Sequence, residues 1–226
     1  MFMHLKNYVD FHLYRDMEFL APEIDQYVCA HTRKEPDHLH QLTRETYLKV
    51  LMPRMLSGHL QGRVLSMISH MIQPKRILEI GTYTGYSAVC MAEGLHENGK
   101  LITIDVNAEL ETMVRKHIAS FPAIDYRLGN ALEIIPTLDE EWDLVFIDAD
   151  KENYSAYFHL VFDRVRKGGF IIADNVLWSG KVIMPSEKMD KDTKALVQFN
   201  AMVNADERVE NVLFPIRDGL MIVRKK

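Results

Sequence analysis

The feature that most constrains the fold is a series of short apolar runs that alternate with amphipathic stretches of helical length from Pro74 onward. Runs that are apolar throughout are typical of parallel strands covered by helices on both faces of a sheet. The pattern therefore predicts an α/β fold with helices over residues 87–95, up to about 120 and over 154–165. The five predicted parallel strands are residues 77–80, 101–104, 124–128, 144–147 and 169–173.

The C-terminal part of the chain has a different pattern. Residues 209–215 and 220–223 form two further apolar runs, and the turn sequence Arg217-Asp-Gly219 joins them as an antiparallel hairpin. Five parallel strands closed by such a hairpin make a seven-stranded sheet, which is the layout of the Rossmann-like class I methyltransferase fold. A nicotinamide-type Rossmann domain would instead be expected to end with a further parallel strand.

The N-terminal part of the chain shows a helical pattern without strand signals up to about Gln73. Residues 31–40 are polar and contain Pro36, so they are interpreted as a loop between helical pieces. At 226 residues the chain is predicted to be a single domain. Residues 1–73 would form a helical cap on the acceptor side, and residues 74–226 a cofactor- and metal-binding core.

Composition limits the class of protein. The chain is 47% hydrophobic and 26% charged, and no apolar run reaches the ~18 residues of a membrane span. Cys29 and Cys90 lie far apart, which excludes a disulfide framework and a cysteine zinc site. The net charge of −5 argues against broad nucleic-acid binding. Together with an N-terminus that does not resemble a signal peptide, these features predict a cytoplasmic enzyme without membrane contact.

A glycine turn after the first predicted strand indicates a ligand site. Gly81 and Gly85 are spaced G-x-x-x-G, which differs from the dinucleotide fingerprint, and a Walker lysine is missing. Glu79 precedes the turn and would attract an ammonium group, while Asp105 ends the second strand and can accept both hydroxyls of a ribose. These carboxylates together predict S-adenosylmethionine, with Ala131 beside the adenine, although the glycine spacing alone also fits an ordinary turn.

Two aspartates end the fourth and fifth predicted strands. Because adjacent parallel strands lie about 4.8 Å apart, the carboxylates of Asp148 and Asp174 can converge on one cation. Asn175 adds a neutral oxygen, and three oxygen ligands suit a hard ion such as Mg²⁺, whereas helix caps are the alternative use of strand-end aspartates. Lys151 lies in the same loop, where its spacing fits either a general base or a solvated lysine.

Several motifs in order resemble the cation-dependent O-methyltransferases typified by the caffeoyl-CoA and catechol enzymes. The resemblance covers residues 57–226 and is strongest over 79–87, 146–154, 174–178 and 215–219. It implies that Asp148, Asp174 and Asn175 are the metal ligands, and that Lys151 takes the phenolic proton. Asp148 is predicted to be catalytic as well, because it would bridge the metal and cofactor sides of the cleft. The resemblance further implies a set of cofactor-contact residues, namely Ser57, Glu79, Gly81, Thr82, Tyr83, Ser87, Asp105, Ala131 and Asp150.

The resemblance implies a magnesium-dependent O-methyltransferase that acts on a small vicinal-dihydroxy aromatic acceptor and is commonly a homodimer. The acceptor itself stays open, because Ser179 departs from the plant pattern and residues 181–192 match weakly. A tRNA 5-hydroxyuridine O-methyltransferase is the main alternative, and it ranks lower because that relative lacks the second aspartate, Asp150. A non-catalytic S-adenosylmethionine-binding module ranks lower still, since Lys151 and the aspartates are intact.

Overall fold

The computed structural model describes residues 20–226. The strands are β1 (Arg76–Ile80), β2 (Lys100–Asp105), β3 (Ile124–Leu128), β4 (Trp142–Ile147), β5 (Val165–Ala173), β6 (Val209–Phe214) and β7 (Leu220–Lys225). They form one seven-stranded sheet in the order β3-β2-β1-β4-β5-β7-β6. Strands β1 to β5 are parallel, while β7 runs antiparallel to both β5 and β6. The predicted parallel sheet and its antiparallel C-terminal hairpin are thereby confirmed.

Helices cover both faces of the sheet. They are α1 (Pro22–His31), α2 (Asp37–Lys49), α3 (Gly58–Ile72), α4 (Tyr86–Ala92), α5 (Glu111–Ile118), α6 (Ala131–Ile134), α7 (Tyr154–Phe162) and α8 (Lys191–Ala205). Helices α2 to α5 contribute to one apolar cluster, and α6 to α8 to the other. Alternate strand residues divide between the clusters, because successive side chains of a strand point to opposite faces. In β4, Val145 and Ile147 belong to one cluster and Leu144 and Phe146 to the other.

The parallel strands end together at one edge of the sheet, where the loops that follow them begin. The backbone hydrogen-bond ladder extends one residue beyond four of these strands. After β3, Gly129 N donates to Asp105 O at 2.7 Å. Gly81 N donates to Ile104 O at 2.9 Å, Asp148 N to Ile80 O at 2.8 Å and Asp174 N to Ile147 O at 2.9 Å. The first loop residues are therefore held in register by the sheet itself.

Several element boundaries differ from the sequence prediction. Strand β5 begins at Val165 and not at residue 169, because Val165 pairs with Trp142 before an irregularity in the register. The apolar side chain of Val165 continues the face of α7, which explains its assignment to the helix. Helix α4 ends at Ala92 and not at 95, and the loop predicted over 31–40 is only residues 32–36.

The N-terminal region is helical, as predicted, over the part of it that the structure describes. Residues 1–19 of the predicted cap lie outside the described residues, so a single domain over 1–226 stays a prediction. Cys29 and Cys90 are both free thiols. Between residues 20 and 226, none of the helices has the length and apolarity that crossing a bilayer requires.

Candidate active site

A cavity of about 1250 Å³ lies at the edge of the sheet where the parallel strands end. Its wall is built from the loops that follow β1 to β5, together with the segment that precedes α3. Most of the residues predicted from the sequence line this cavity: Ser57, Gly81, Tyr83, Asp105, Ala131, Asp148, Asp150, Lys151, Asp174 and Asn175. The structure therefore brings the predicted cofactor and metal positions into one space.

The glycine turn is shaped by a close contact between two loops. A Cβ atom on Gly81 would lie 1.9 Å from the carbonyl oxygen of Asp148, and Gly81 has φ +98°. Only glycine satisfies both conditions. Asp105 fixes the turn, because its carboxylate accepts a hydrogen bond from Tyr83 N at 2.7 Å. The other carboxylate oxygen accepts from Asn107 N at 2.8 Å. Each carboxylate oxygen of Asp105 keeps a second lone pair for a ligand.

Three of the predicted cofactor residues, Glu79, Thr82 and Ser87, lie behind the cavity wall and not in it. The carboxylate of Glu79 is fully buried and accepts hydrogen bonds from the hydroxyls of Ser87 and Thr103. Burial raises the pKa of Glu79 to about 8, although both hydroxyl donors act in the opposite direction. These residues support the glycine turn from beneath. Their spacing in the sequence does not show whether they support the turn or contact the cofactor directly.

The three predicted metal ligands and Lys151 converge on one wall of the cavity. Lys151 Nζ donates to Asn175 Oδ1 at 2.9 Å and to Asp148 Oδ1 at 3.2 Å. Asn175 has φ +58°, a left-handed conformation that asparagine tolerates better than most residues. Its backbone N–H donates to Asp174 Oδ1 at 2.6 Å. The turn thus places an amide oxygen directly beside the two carboxylates.

Asp174 is the most strongly perturbed of these groups. It is buried, and burial together with the nearby charge of Asp148 raises the pKa of Asp174 to about 7. Hydrogen bonding from Gln61 and the charge of Lys151 act against this rise. Two carboxylates that repel each other across a shared space are stabilised by any cation that lies between them.

The donor set fits a hard divalent cation. Residues 20–226 contain no group of three His, Cys, Asp or Glu side chains that could hold a metal. The candidate set consists of two carboxylates, Asp148 and Asp174, and the amide oxygen of Asn175. Oxygen donors that leave room for water suit Mg²⁺ or a similar ion, and two carboxylates supply the compensating charge.

Two residues that contact this wall were missed by sequence reasoning. Gln61, buried in α3, donates from Nε2 to Asp174 Oδ2 at 2.5 Å. Tyr154 accepts a hydrogen bond from Lys151 Nζ at 2.6 Å and donates to the main-chain oxygen of Asp174 at 2.9 Å. The sequence assigned Tyr154 to an apolar helix face, and a lone Gln among apolar residues of α3 was the only signal for Gln61.

The loop that follows β5 is tightly turned. Trp178 and Ser179 have φ +48° and +51°, and Ser179 N donates to the Asp218 carboxylate. The Trp178 ring lies 5.6 Å from the Nζ atoms of both Lys151 and Lys181. Trp178 therefore lines the cavity beside the candidate base.

Comparison with known proteins identifies the family. A family model described as O-methyltransferase matches residues 29–226. Caffeoyl-CoA O-methyltransferase 1 of Arabidopsis thaliana is 34% identical over 206 residues, which cover 85% of this chain and 79% of the relative. Caffeoyl-CoA O-methyltransferase 5 of Nicotiana tabacum is 32% identical over 208 residues, which cover 85% of each chain.

Solved structures agree with this match. The SAH-bound methyltransferase PaMTH1 of Podospora anserina has a TM-score of 0.85 and 27% identity, covering 93% of this chain and 97% of that one. The O-methyltransferase of Bacillus cereus in complex with SAH has a TM-score of 0.83 and 28% identity, covering 90% and 97%. Both carry the demethylated cofactor, which supports S-adenosylmethionine binding here. The chain belongs to the O-methyltransferase family and is a class I S-adenosylmethionine-dependent O-methyltransferase of the caffeoyl-CoA type.

Proposed function

We propose that this enzyme methylates one oxygen of a small vicinal-dihydroxy aromatic, of the catechol or caffeoyl type, with the help of Mg²⁺ or a similar cation. The supporting observation is that Lys151 Nζ lies within hydrogen-bonding distance of both Asp148 and Asn175, in the wall of a cavity that Asp105 also lines. A candidate base, a candidate cation site and a candidate ribose acceptor thus share one space.

The cofactor side is assigned to the residues around the glycine turn. Asp105 accepts the ribose hydroxyls, and Gly81 lets the ligand approach the backbone closely. Ser57, Tyr83, Ala131 and Asp150 complete the cofactor wall, and all of them line the cavity. In this assignment Glu79, Thr82 and Ser87 support the turn from behind.

The acceptor side is assigned to the loops after β4 and β5. Asp148, Asp174 and Asn175 would hold a divalent cation, which supplies Lewis-acid polarisation of a phenol whose ordinary pKa is about 10. Lys151, as the neutral amine, accepts the phenolic proton at Nζ. Asp148 lines the cavity, and its carbonyl oxygen lies against Gly81 of the glycine turn. The wall holds the acceptor oxygen in line with the methyl group, and such positioning supplies much of the rate acceleration.

The cavity charge is unfavourable for a polyanionic acceptor such as tRNA. Seven aspartates line it, against four basic side chains. The aspartates are Asp25, Asp105, Asp148, Asp150, Asp174, Asp192 and Asp218, and the basic residues are Arg54, Lys151, Lys181 and Arg217. An uncharged or weakly charged aromatic fits this surface better than a phosphate backbone.

The test is methyl transfer from labelled S-adenosylmethionine to a panel of vicinal-dihydroxy aromatics, with added Mg²⁺ and with EDTA. We expect transfer that EDTA abolishes and Mg²⁺ restores. Asp148→Asn should need much more Mg²⁺ for the same rate while its circular dichroism spectrum is unchanged. Transfer that is insensitive to EDTA would contradict the cation assignment. No transfer, with cofactor binding intact, would move the proposal toward tRNA or another acceptor.

We also propose the homodimer that the family resemblance implies. Light scattering coupled to size-exclusion chromatography measures it directly, and a monomeric mass at micromolar concentration would contradict it.

A further inference from the structure

Tyr154, the first residue of α7, places its hydroxyl between Lys151 and Asp174. The side chain is fully buried. Its Oη donates to the main-chain oxygen of Asp174 at 2.9 Å and accepts from Lys151 Nζ at 2.6 Å. Because a tyrosine hydroxyl has one proton, and that proton is used in the bond to Asp174, Oη faces Lys151 as an acceptor.

Three acceptors surround Lys151 Nζ, and Tyr154 differs from the other two. Asp148 Oδ1 lies 3.2 Å and Asn175 Oδ1 2.9 Å from Nζ, compared with 2.6 Å for Tyr154 Oη. The neutral amine form, which is the form that can act as a base, still has two N–H donors for these acceptors and one lone pair for a proton. Asp148 and Asn175 are proposed cation ligands, so the same oxygens would bind the cation and accept hydrogen bonds from Lys151. Tyr154 is not a proposed ligand, and its contact with Lys151 does not compete with a cation.

The ring of Tyr154 is held so that its hydroxyl cannot turn away. It packs edge-on against Phe199, with 5.5 Å between ring centroids and an interplanar angle of 85°. Lys151 Nζ also lies 4.7 Å from the Tyr154 ring centroid, within the range of a cation–π interaction. The buried ring is therefore a fixed support for the long lysine side chain.

We propose that Tyr154 is a positioning residue, which directs Lys151 Nζ toward the acceptor side of the cavity through this hydrogen bond. The inference rests on the proposed function, in which Lys151 accepts the phenolic proton. A base displaced by about an ångström loses much of its effect, because proton transfer needs close and aligned donor and acceptor atoms.

The experiment compares Tyr154→Phe, Lys151→Met and the double variant, with the fastest acceptor of the dihydroxy-aromatic panel as substrate. We expect Tyr154→Phe to lower kcat about tenfold or more, with the KM for S-adenosylmethionine changed less than twofold. In the Lys151→Met background the same substitution should cause no further loss. Tyr126→Phe is the matched control, because that buried hydroxyl in β3 has no hydrogen-bond partner among the described residues.

A second substitution separates the two hydrogen bonds and guards against a folding defect in Tyr154→Phe. Replacing Tyr154 with 4-aminophenylalanine keeps the ring and the donor to Asp174 but provides a poor acceptor for Lys151. We expect kcat to fall while the urea unfolding midpoint stays within error of the wild type. A wild-type kcat in this folded variant would overturn the proposal.

The outcomes distinguish this proposal from the proposed function. If Lys151→Met retains full kcat, the base assignment fails, and the positioning role fails with it. If Lys151→Met is inactive but Tyr154→Phe keeps wild-type kcat, only the positioning role is overturned. Equal fold losses from Tyr154→Phe in both backgrounds would also overturn it, because Tyr154 would then act independently of Lys151.

Discussion

At the scale of single residues, the active-site wall depends on polar groups that are buried among apolar ones. Glu79 is the clearest case, since its carboxylate is fully enclosed and is held by Ser87 and Thr103. A carboxyl group in such a place is most stable in its neutral form. The turn that it supports is therefore linked to pH through folding stability.

We expect the free energy of unfolding to decrease as pH rises, because of Glu79. Its pKa is raised from 4.5 to about 8 in the folded state, so between these values the folded protein binds more protons than the unfolded chain. Stability from this group is complete below pH 4.5 and is lost as pH rises through 8. In Glu79→Gln this decrease, on the order of 4 kcal/mol at most, should be absent from urea unfolding at pH 5, 7 and 9.

The control for this prediction is Glu97→Gln, which replaces an exposed carboxylate. Its unfolding free energy should follow the wild-type pH dependence. A Glu79→Gln curve that runs parallel to the wild type would show that the carboxyl of Glu79 titrates normally in the folded state.

At the scale of elements, the N-terminal helices are fastened to the glycine turn itself. Tyr83 Oη donates to Met52 O at 2.9 Å, and Tyr86 Oη donates to Glu35 Oε2 at 2.5 Å. Residues of the turn therefore also hold the segments on either side of α2. The position of the N-terminal helices is coupled to the shape of the glycine turn. Tyr83 contacts Asp105 through its backbone N–H and Met52 through its side chain.

Glu45 makes the electrostatic contact between α2 and α5, and we expect Glu45→Gln to weaken it. Its carboxylate accepts from Lys116 and His117 of α5 and from Lys49 of its own helix. These hydrogen bonds, Lys116 first, lower the pKa of Glu45 from 4.5 to about 2. The stabilisation is therefore present above pH 4.5 and is lost as pH falls toward 2.

The expected loss in Glu45→Gln is about 1 kcal/mol of unfolding free energy at pH 7, since partly exposed ion pairs are weak. Urea unfolding at pH 7 and pH 3 measures it, and the difference from wild type should shrink at pH 3. Glu111→Gln is the control, because it breaks only the exposed contact with Arg115 within α5. An equal effect of both variants would argue against a special role for Glu45.

At the scale of the whole molecule, the sheet brings the residues of the candidate site together. Strands β1 to β5 end at one edge, so loops far apart in sequence share one cavity. Apolar clusters on both faces hold this edge in place. A ligand that binds only the folded edge stabilises the entire domain by mass action.

We expect Mg²⁺ to raise the unfolding temperature of the protein by roughly 5–10 °C at about 100 times its Kd. A ligand at about 100 times Kd contributes about 2.7 kcal/mol, and each kcal/mol shifts Tm by roughly 2–4 °C in a chain of this size. Differential scanning fluorimetry measures the shift. Asp174→Asn should lose it, whereas Asp105→Asn should keep it and lose the shift caused by S-adenosylmethionine. An unchanged Mg²⁺ shift in Asp174→Asn would contradict the ligand assignment.

Much of the site follows from local sequence patterns. Apolar runs and a turn signal predict the strands, and the rule that parallel strands end together predicts that Asp148 and Asp174 lie side by side. Local patterns predict less well where a side chain suits two elements. Val165 fits both the apolar face of α7 and the start of β5. Its pairing with Trp142 places it in the strand.

The sequence by itself determined the type of sheet, the glycine turn at its edge and the acidic residues that follow its strands, because each depends on neighbours close along the chain. Only the tertiary structure decided that Glu79 lies behind the cavity wall, and that Gln61 and Tyr154 contact Asp174 across 113 and 20 residues of sequence. Such contacts depend on how helices pack on the sheet. Side-chain periodicity indicates which face of a helix is buried, but it does not indicate the partner that this face will meet.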